Sequence, residues 1–463
     1  MERILYGKLF GKKLVSLILV GAMLLGLTAC GQGAVNQGQG SSETASETAF
    51  ETASEATTEA GKSTFIAQAV DLMEGITAQD VTEKALDETF ATAMTDFGVK
   101  LFQNRLLAEG ESEGENVLIS PLSVMLALAM TANGAKGETR AEMEKFLGGE
   151  LTIEELNRYL YTYVKKLPAG DSYKLDIANS IWIRDVESLT VYEDFLQTNA
   201  DYYQAAVRKE PFDEGTKDEI NGWVKENTDG LIDSIVEEIP AETMMYLLNA
   251  LVFDAKWARE YYQEDIREGS FTAADGKLRK VSMMSSEETV YLDDREAVGF
   301  IKYYTDNAYS FVALLPDENV EIEDYIASMT GERIRSLIEN GRRATVIART
   351  PKFSYEDETL MNEELKALGM PLAFSGECAD FSGMGRTEGG NLYIGNVVHK
   401  TFISVDELGT KAGAVTAVSV DECEAVSPDN IYYVTLDRPF VYMILDNAAG
   451  VPVFIGAVMD IGE

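Results

Sequence analysis

The spacing of apolar positions changes along this chain, and the change divides it. Phe90, Met94, Phe97 and Leu101 recur at helical spacing, so a helix with one inward face is expected just after Leu86. Val117-Leu118-Ile119 reads as a short buried strand. Ser120-Pro121 then opens a helix, with Ser120 as its cap and Pro121 in its first turn. That helix carries Leu122, Met125, Leu126, Leu128 and Ala129 towards Asn133-Gly134. Further helices are expected at 152–167, 192–204 and 217–228. Strands dominate afterwards: Leu175–Ile183, Met245–Phe253, Phe300–Thr305, Ser310–Leu315, Arg343–Phe353 and Leu392–Val405. A final pair, Tyr432–Leu445 and Val451–Val458, flanks the turn Asp446–Gly450. Helices early and antiparallel strands late, without regular βαβ alternation, predict an α+β fold with a single globular domain from residue 86 to 463.

The first residues follow another logic. Arg3, Lys8, Lys12 and Lys13 precede an apolar run, Leu14 to Leu27, which ends in Leu27-Thr28-Ala29-Cys30. This matches a bacterial lipoprotein signal, which implies removal of residues 1–29 and lipidation of Cys30. The expected location is the extracellular face of a bacterial membrane, held by lipid rather than by a spanning helix. Residues 30–62 are rich in Ser, Thr, Glu and Ala, with Val35 and Phe50 the large apolar side chains, and read as a tether. Residues 63–85 are ambiguous, with a short helical extension as one reading.

Charge narrows the function. The 463 residues include 78 acidic and 39 basic ones, a net charge of −39, which argues against nucleic acid as a partner. Three cysteines are too few for a disulfide framework. One histidine, His399, and scattered cysteines give poor support for a metal site, and no Gly-x-Ser-x-Gly elbow is present to serve a hydrolase. No cofactor is expected, since no basic helix suggests a heparin-like one. A monomer is expected.

The most informative stretch is 405–444. Val405-Asp406-Glu407-Leu408-Gly409-Thr410 leads into small or β-branched residues from Ala412 to Val420, then an acidic stretch, Asp421–Asn430, then apolar residues from Ile431. The middle tract lacks large apolar side chains, yet is β-prone and slim. This layout resembles the reactive loop of a serpin, and Leu436–Ile444 resembles that family's C-terminal signature. Asn116–Ser123, Gly134–Thr139, Ile220–Val224, Thr228–Ile232, Leu248–Phe253, Lys256-Trp257, Val281–Met284, Pro351-Lys352-Phe353 and Leu368-Gly369-Met370 resemble other serpin segments, in order.

The resemblance implies helices around a large mixed β-sheet, smaller sheets and an exposed loop. It implies a suicide-substrate inhibitor, not an enzyme, whose partner is a target serine protease. The hinge would be Glu407, Gly409, Thr410, Ala412 and Ala414. Thr410, Ala412, Ala414, Thr416, Val418 and Val420 would face inward on insertion, leaving Lys411 outside. Leu408 departs from the charged residue common in inhibitory members. Family spacing puts the reactive bond between Cys423 and Glu424, with Val420, Ala425 and Val426 as neighbouring alternatives. These suit elastase-like proteases, whereas Asp421 and Glu422 suit an acid-specific one. No Arg or Lys lies between Lys411 and Arg438, which disfavours trypsin-like targets. Cys378 could pair with Cys423, although free thiols are favoured. His399 would hydrogen-bond with Ser120 and Asn249 beneath the main sheet. The alternatives are a non-inhibitory serpin-fold surface binding protein, a solute-binding lipoprotein and a secreted hydrolase.

Overall fold

Every second residue of three long strands faces one side of the same sheet, and both sides are covered. Ile181, Ile183, Leu247, Leu251, Val397 and Ile403 enter the main core, whereas Trp182, Tyr246, Leu248 and Val398 enter a smaller cluster on the opposite face. Burial on two faces explains why these strands read as nearly continuous apolar runs. The computed structural model describes residues 67–107, 114–388, 390–410 and 430–462, all within one compact unit, Thr64–Glu463.

Two large sheets organise the described residues. The first has seven strands, in the order Val70–Asp71, Ala206–Glu210, Tyr173–Arg184, Met245–Lys256, Gly409–Thr410, Asn396–Val405 and Phe353–Leu360. The second follows the path Ile431–Thr435, Arg342–Pro351, Leu278–Asp293, Ala297–Tyr303, Tyr309–Pro316, Phe440–Asp446, Val451–Val458 and Val117–Ile119, with Ile266–Thr272 paired beside Leu278–Asp293. The helix Pro121–Ala132 is buried along its whole length. Ser120 caps it as the sequence suggests, its Oγ accepting from the Ser123 amide at 3.3 Å. The α+β expectation holds.

Several boundaries differ. Arg343–Phe353 is two strands broken at Lys352, and Tyr432–Leu445 is two strands broken by Leu436–Pro439, where Pro439 has no amide hydrogen for the ladder. Residues 392–395 lie outside the strand that begins at Asn396. The 16-residue strand Leu278–Asp293 escaped the sequence reading, because Arg279, Lys280, Ser285, Ser286, Glu287 and Glu288 break any apolar run. Residues 67–85 form no helix: a turn at 72–75 follows the short strand Val70–Asp71, and the rest carries no regular structure. Val70–Asp71 adds to the edge of the first sheet, the Gln79 amide donates to Asp201, and the Lys84 amide donates to Thr162. The folded unit therefore begins before residue 86.

Candidate functional site

The strands Met245–Lys256 and Asn396–Val405 run parallel and pair directly from Tyr246↔Asn396 to Ala250↔Lys400. Beyond that point their ladder is interrupted. At the far end the gap is bridged by Gly409–Thr410, antiparallel to both: Gly409 opposes Lys256, and Thr410 opposes Ala255 and Val405. The first rung of a strand thus stands between two others, directed down the gap.

A tight turn delivers this rung. The Asp406 amide donates to the Gly409 carbonyl at 3.0 Å, and Asp406 Oδ1 accepts from the amides of Leu408 (2.8 Å) and Gly409 (3.2 Å). Gly409 is required by close approach, since a Cβ there would run into the Ala255 carbonyl oxygen. Thr410 is buried, and its hydroxyl lies 2.5 Å from that of Tyr304.

Three consecutive carbonyls of the turn are gripped by one loop. Trp257 Nε1 donates to Asp406 O at 2.9 Å, the Tyr261 amide to Glu407 O at 3.0 Å, and the Trp257 amide to Leu408 O at 3.0 Å. Trp257 also stacks on Tyr304, with ring centroids 4.4 Å apart. Glu407 is ion-paired with Lys352, whose hydrogen bond holds the carboxyl below its usual range.

The joined half of the gap is held differently. His399 and Asn249 are opposed in register, and both are buried. His399 Nε2 accepts from the Ser120 backbone amide at 3.2 Å, which places the ring proton on Nδ1. Ser120 Oγ donates to Val453 O at 2.9 Å. Asn249 Nδ2 donates to Ser123 O at 2.8 Å and to Asn179 Oδ1. The expected trio is therefore gathered. The His399–Ser120 bond is present and runs through the Ser120 amide, whereas no hydrogen bond joins His399 to Asn249 among the described residues. Nε2 and the Asn249 amide nitrogen are engaged instead by the Ser120 amide, Ser123 O and Asn179 Oδ1. His399 Nδ1 and Asn249 Oδ1, on facing residues, lack protein partners among the described residues. Burial and the nearby Arg105 push the His399 pKa down to about 4. Arg105 in turn binds Asp357 (3.2 Å) and Thr359 (2.7 Å).

Outside the sheet, the helix Glu214–Asn227 and the segment after it cover this same half. Ile220, Val224, Ile232, Ile235 and Val236 share a cluster with Leu248 and Val398, one from each paired strand. Asn221 fixes the segment by accepting from the Ile235 and Val236 amides at 2.8 and 3.0 Å.

Glu407, Gly409 and Thr410 are thus brought to one place. Ala412, Ala414, Cys423, Glu424 and Cys30 lie outside the described residues. Cys378 is exposed and unbridged. Trp257 and Lys352 stood in quoted motifs but were given no role, and Tyr261 and Tyr304 carried no local signal.

Residues 92–461 match the family described as Serpin (serine protease inhibitor). The chain is a serpin. Among solved structures, this serpin is similar to the thermophilic serpin Tengpin in its native state, with TM-score 0.80 and 50% identity over 85% of this chain and 100% of that one. Against Tengpin in the latent state the TM-score is 0.72, at 48% identity over 82% and 100%. A serpin-like protein of Thermococcus kodakarensis is 29% identical over 391 residues, covering 83% of this chain and 88% of the relative. The leukocyte elastase inhibitor of Equus caballus is 29% identical over 384 residues, covering 80% and 98%.

Proposed function

We propose that this serpin is a suicide-substrate inhibitor of a serine protease, elastase-like by preference. The single observation that carries this reading is the rung Gly409–Thr410, seated antiparallel between two parallel strands whose ladder is interrupted just beyond it. A bait segment following Thr410 would enter that gap by extending an existing hairpin. Thr410 already faces inward, so strand alternation gives Ala412, Ala414, Thr416, Val418 and Val420 the same side, all small or β-branched.

In the mechanism, the protease serine Oγ attacks the carbonyl carbon of Cys423 and passes its proton to the protease's own base. The C–O ester forms, the Cys423–Glu424 C–N bond breaks, and the departing amine takes the proton. The freed upstream segment then inserts as a strand and carries the acylated protease with it, before water can release it. The uncut fold is kinetically held above the inserted one. Small apolar residues around the bond, together with likeness to an elastase inhibitor, support the choice of target. The signal-like N-terminus supports anchoring through lipid on Cys30 at the outer face of a bacterial membrane, and phase partition of wild type against Cys30→Ser tests it.

The decisive experiment mixes the purified full chain with an elastase on a denaturing gel. A protease-sized upward shift that survives boiling is expected. Clean cleavage with undiminished protease activity would overturn the inhibitor reading and favour a non-inhibitory binding protein.

A further inference from the structure

The loop that grips the hinge turn rests on a buried cation. Lys302, on the strand Ala297–Tyr303, is 2% exposed. Its Nζ donates to Arg259 O at 3.2 Å, in the middle of the 257–261 loop, and to Glu288 Oε1 at 3.0 Å. The same ammonium lies 4.3 Å from the ring centre of Tyr261 and 5.2 Å from that of Trp257. These two residues supply all three donors to the carbonyls of Asp406, Glu407 and Leu408.

We propose that Lys302 is a positioning residue for loop insertion: its ammonium fixes the 257–261 loop, and the loop fixes the turn from which the bait would be laid down as a strand. A buried ion pair is a poor choice for stability alone, since well-packed apolar residues of similar volume often serve as well or better. This pair touches the backbone of one loop and the faces of both of its aromatic residues, so it sets the direction of three hydrogen-bond donors. Burial acts to lower the Lys302 pKa, but Glu288 and Tyr261 outweigh it and the net shift is upward, so the charge persists. The inserted strand needs a turn already formed at 406–409. A loosened grip would leave the cut bait searching for its first rung while water deacylates the protease.

The proposal rests on the inhibitor reading, and the test separates the two. Four full-length proteins are compared: wild type, Lys302→Met, Lys302→Arg, and the double variant Lys302→Met with Glu288→Leu, which leaves no lone buried charge. Hydrogen exchange of the Trp257 and Tyr261 amides is measured in the uncut chain, and the ratio of cleaved to trapped inhibitor is measured with an elastase. Both Met-bearing variants are expected to exchange these amides about tenfold faster. Their ratio should shift about fivefold towards cleaved product, with the rate of bait cleavage unchanged. Lys302→Arg, which keeps the charge, should hold the wild-type ratio. Unchanged exchange in the double variant would overturn the grip. Faster exchange with an unchanged ratio would overturn its role in insertion. A wild-type chain that is cut without trapping refutes the inhibitor reading and the insertion half of this proposal, while the exchange result still decides the grip.

Discussion

The two ends of the gap between the 245–256 and 396–405 strands are held by different chemistry. At the joined end, His399, Asn249, Ser120 and Ser123 form neutral hydrogen bonds, and His399 Nδ1 and Asn249 Oδ1 have no protein partner among the described residues. At the hinge end, an indole and two backbone amides grip Asp406, Glu407 and Leu408, Glu407 pairs with Lys352, and a stacked tyrosine and the Lys302–Glu288 pair stand behind the gripping loop. The contrast teaches how one sheet could stay closed and still admit the strand that the proposed mechanism inserts. Neutral bonds between small groups exchange partners at low cost, whereas charged and aromatic contacts define one geometry. In the proposed mechanism, the end that would part is held by neutral bonds, and the end that would guide is held by charged and aromatic contacts.

The comparison can be broken most severely at the rung itself. Thr410→Arg places an unpaired charge where a hydroxyl meets Tyr304 in the core, so insertion should fail. The covalent complex is expected to fall at least about tenfold, with normal cleavage of the bait, as read on a denaturing gel. An undiminished complex would show that trapping does not depend on a strand that continues from Thr410.

The joined end should be the acid-sensitive one. The His399 pKa of about 4 lies below the unfolded value of 6.5. Above pH 6.5 the ring is neutral in both states and its contribution is intact. As pH falls below 6.5 the unfolded chain takes up a proton that the folded chain refuses, and stability is lost until about pH 4, by up to about 3 kcal/mol. Protonation would also turn Nε2 into a donor facing the Ser120 amide. Urea midpoints at several pH values should fall in this window for wild type and much less for His399→Gln.

Smaller effects are expected at the hinge end. Trp257→Phe keeps a ring against Tyr304 but removes the donor to Asp406 O, a loss of about 1 kcal/mol. The signature should be faster hydrogen exchange at Leu408 and Gly409 rather than any change around His399. Smallest of all, Lys352→Met removes a partly exposed partner of Glu407 and should lower the stability read from urea unfolding by only about 0.5 kcal/mol, an effect that fades with added salt.

Much of this was legible beforehand, for identifiable reasons. The helix of Phe90, Met94, Phe97 and Leu101 declared its period. Ser120-Pro121 declared a cap, and the tract from Ala412 to Val420 stood out because it lacks large apolar side chains between two strand-like stretches. The strand Leu278–Asp293 was not legible, since its charged residues blur any apolar run. Nor was the non-helical path of residues 67–85, because a short edge strand leaves little trace in composition.

Sequence by itself determined the fold class and the small-residue tract after Thr410, because periodicity and side-chain size are local properties, while the hinge and the candidate partners of His399 were what the serpin resemblance implied. Tertiary structure alone decided which atoms bond. It engaged the Ser120 amide rather than its hydroxyl, brought Trp257 to a carbonyl 149 residues away, and placed the ammonium of Lys302 behind the loop that holds it. Such contacts join distant strands through a shared core, and no spacing along the chain encodes them.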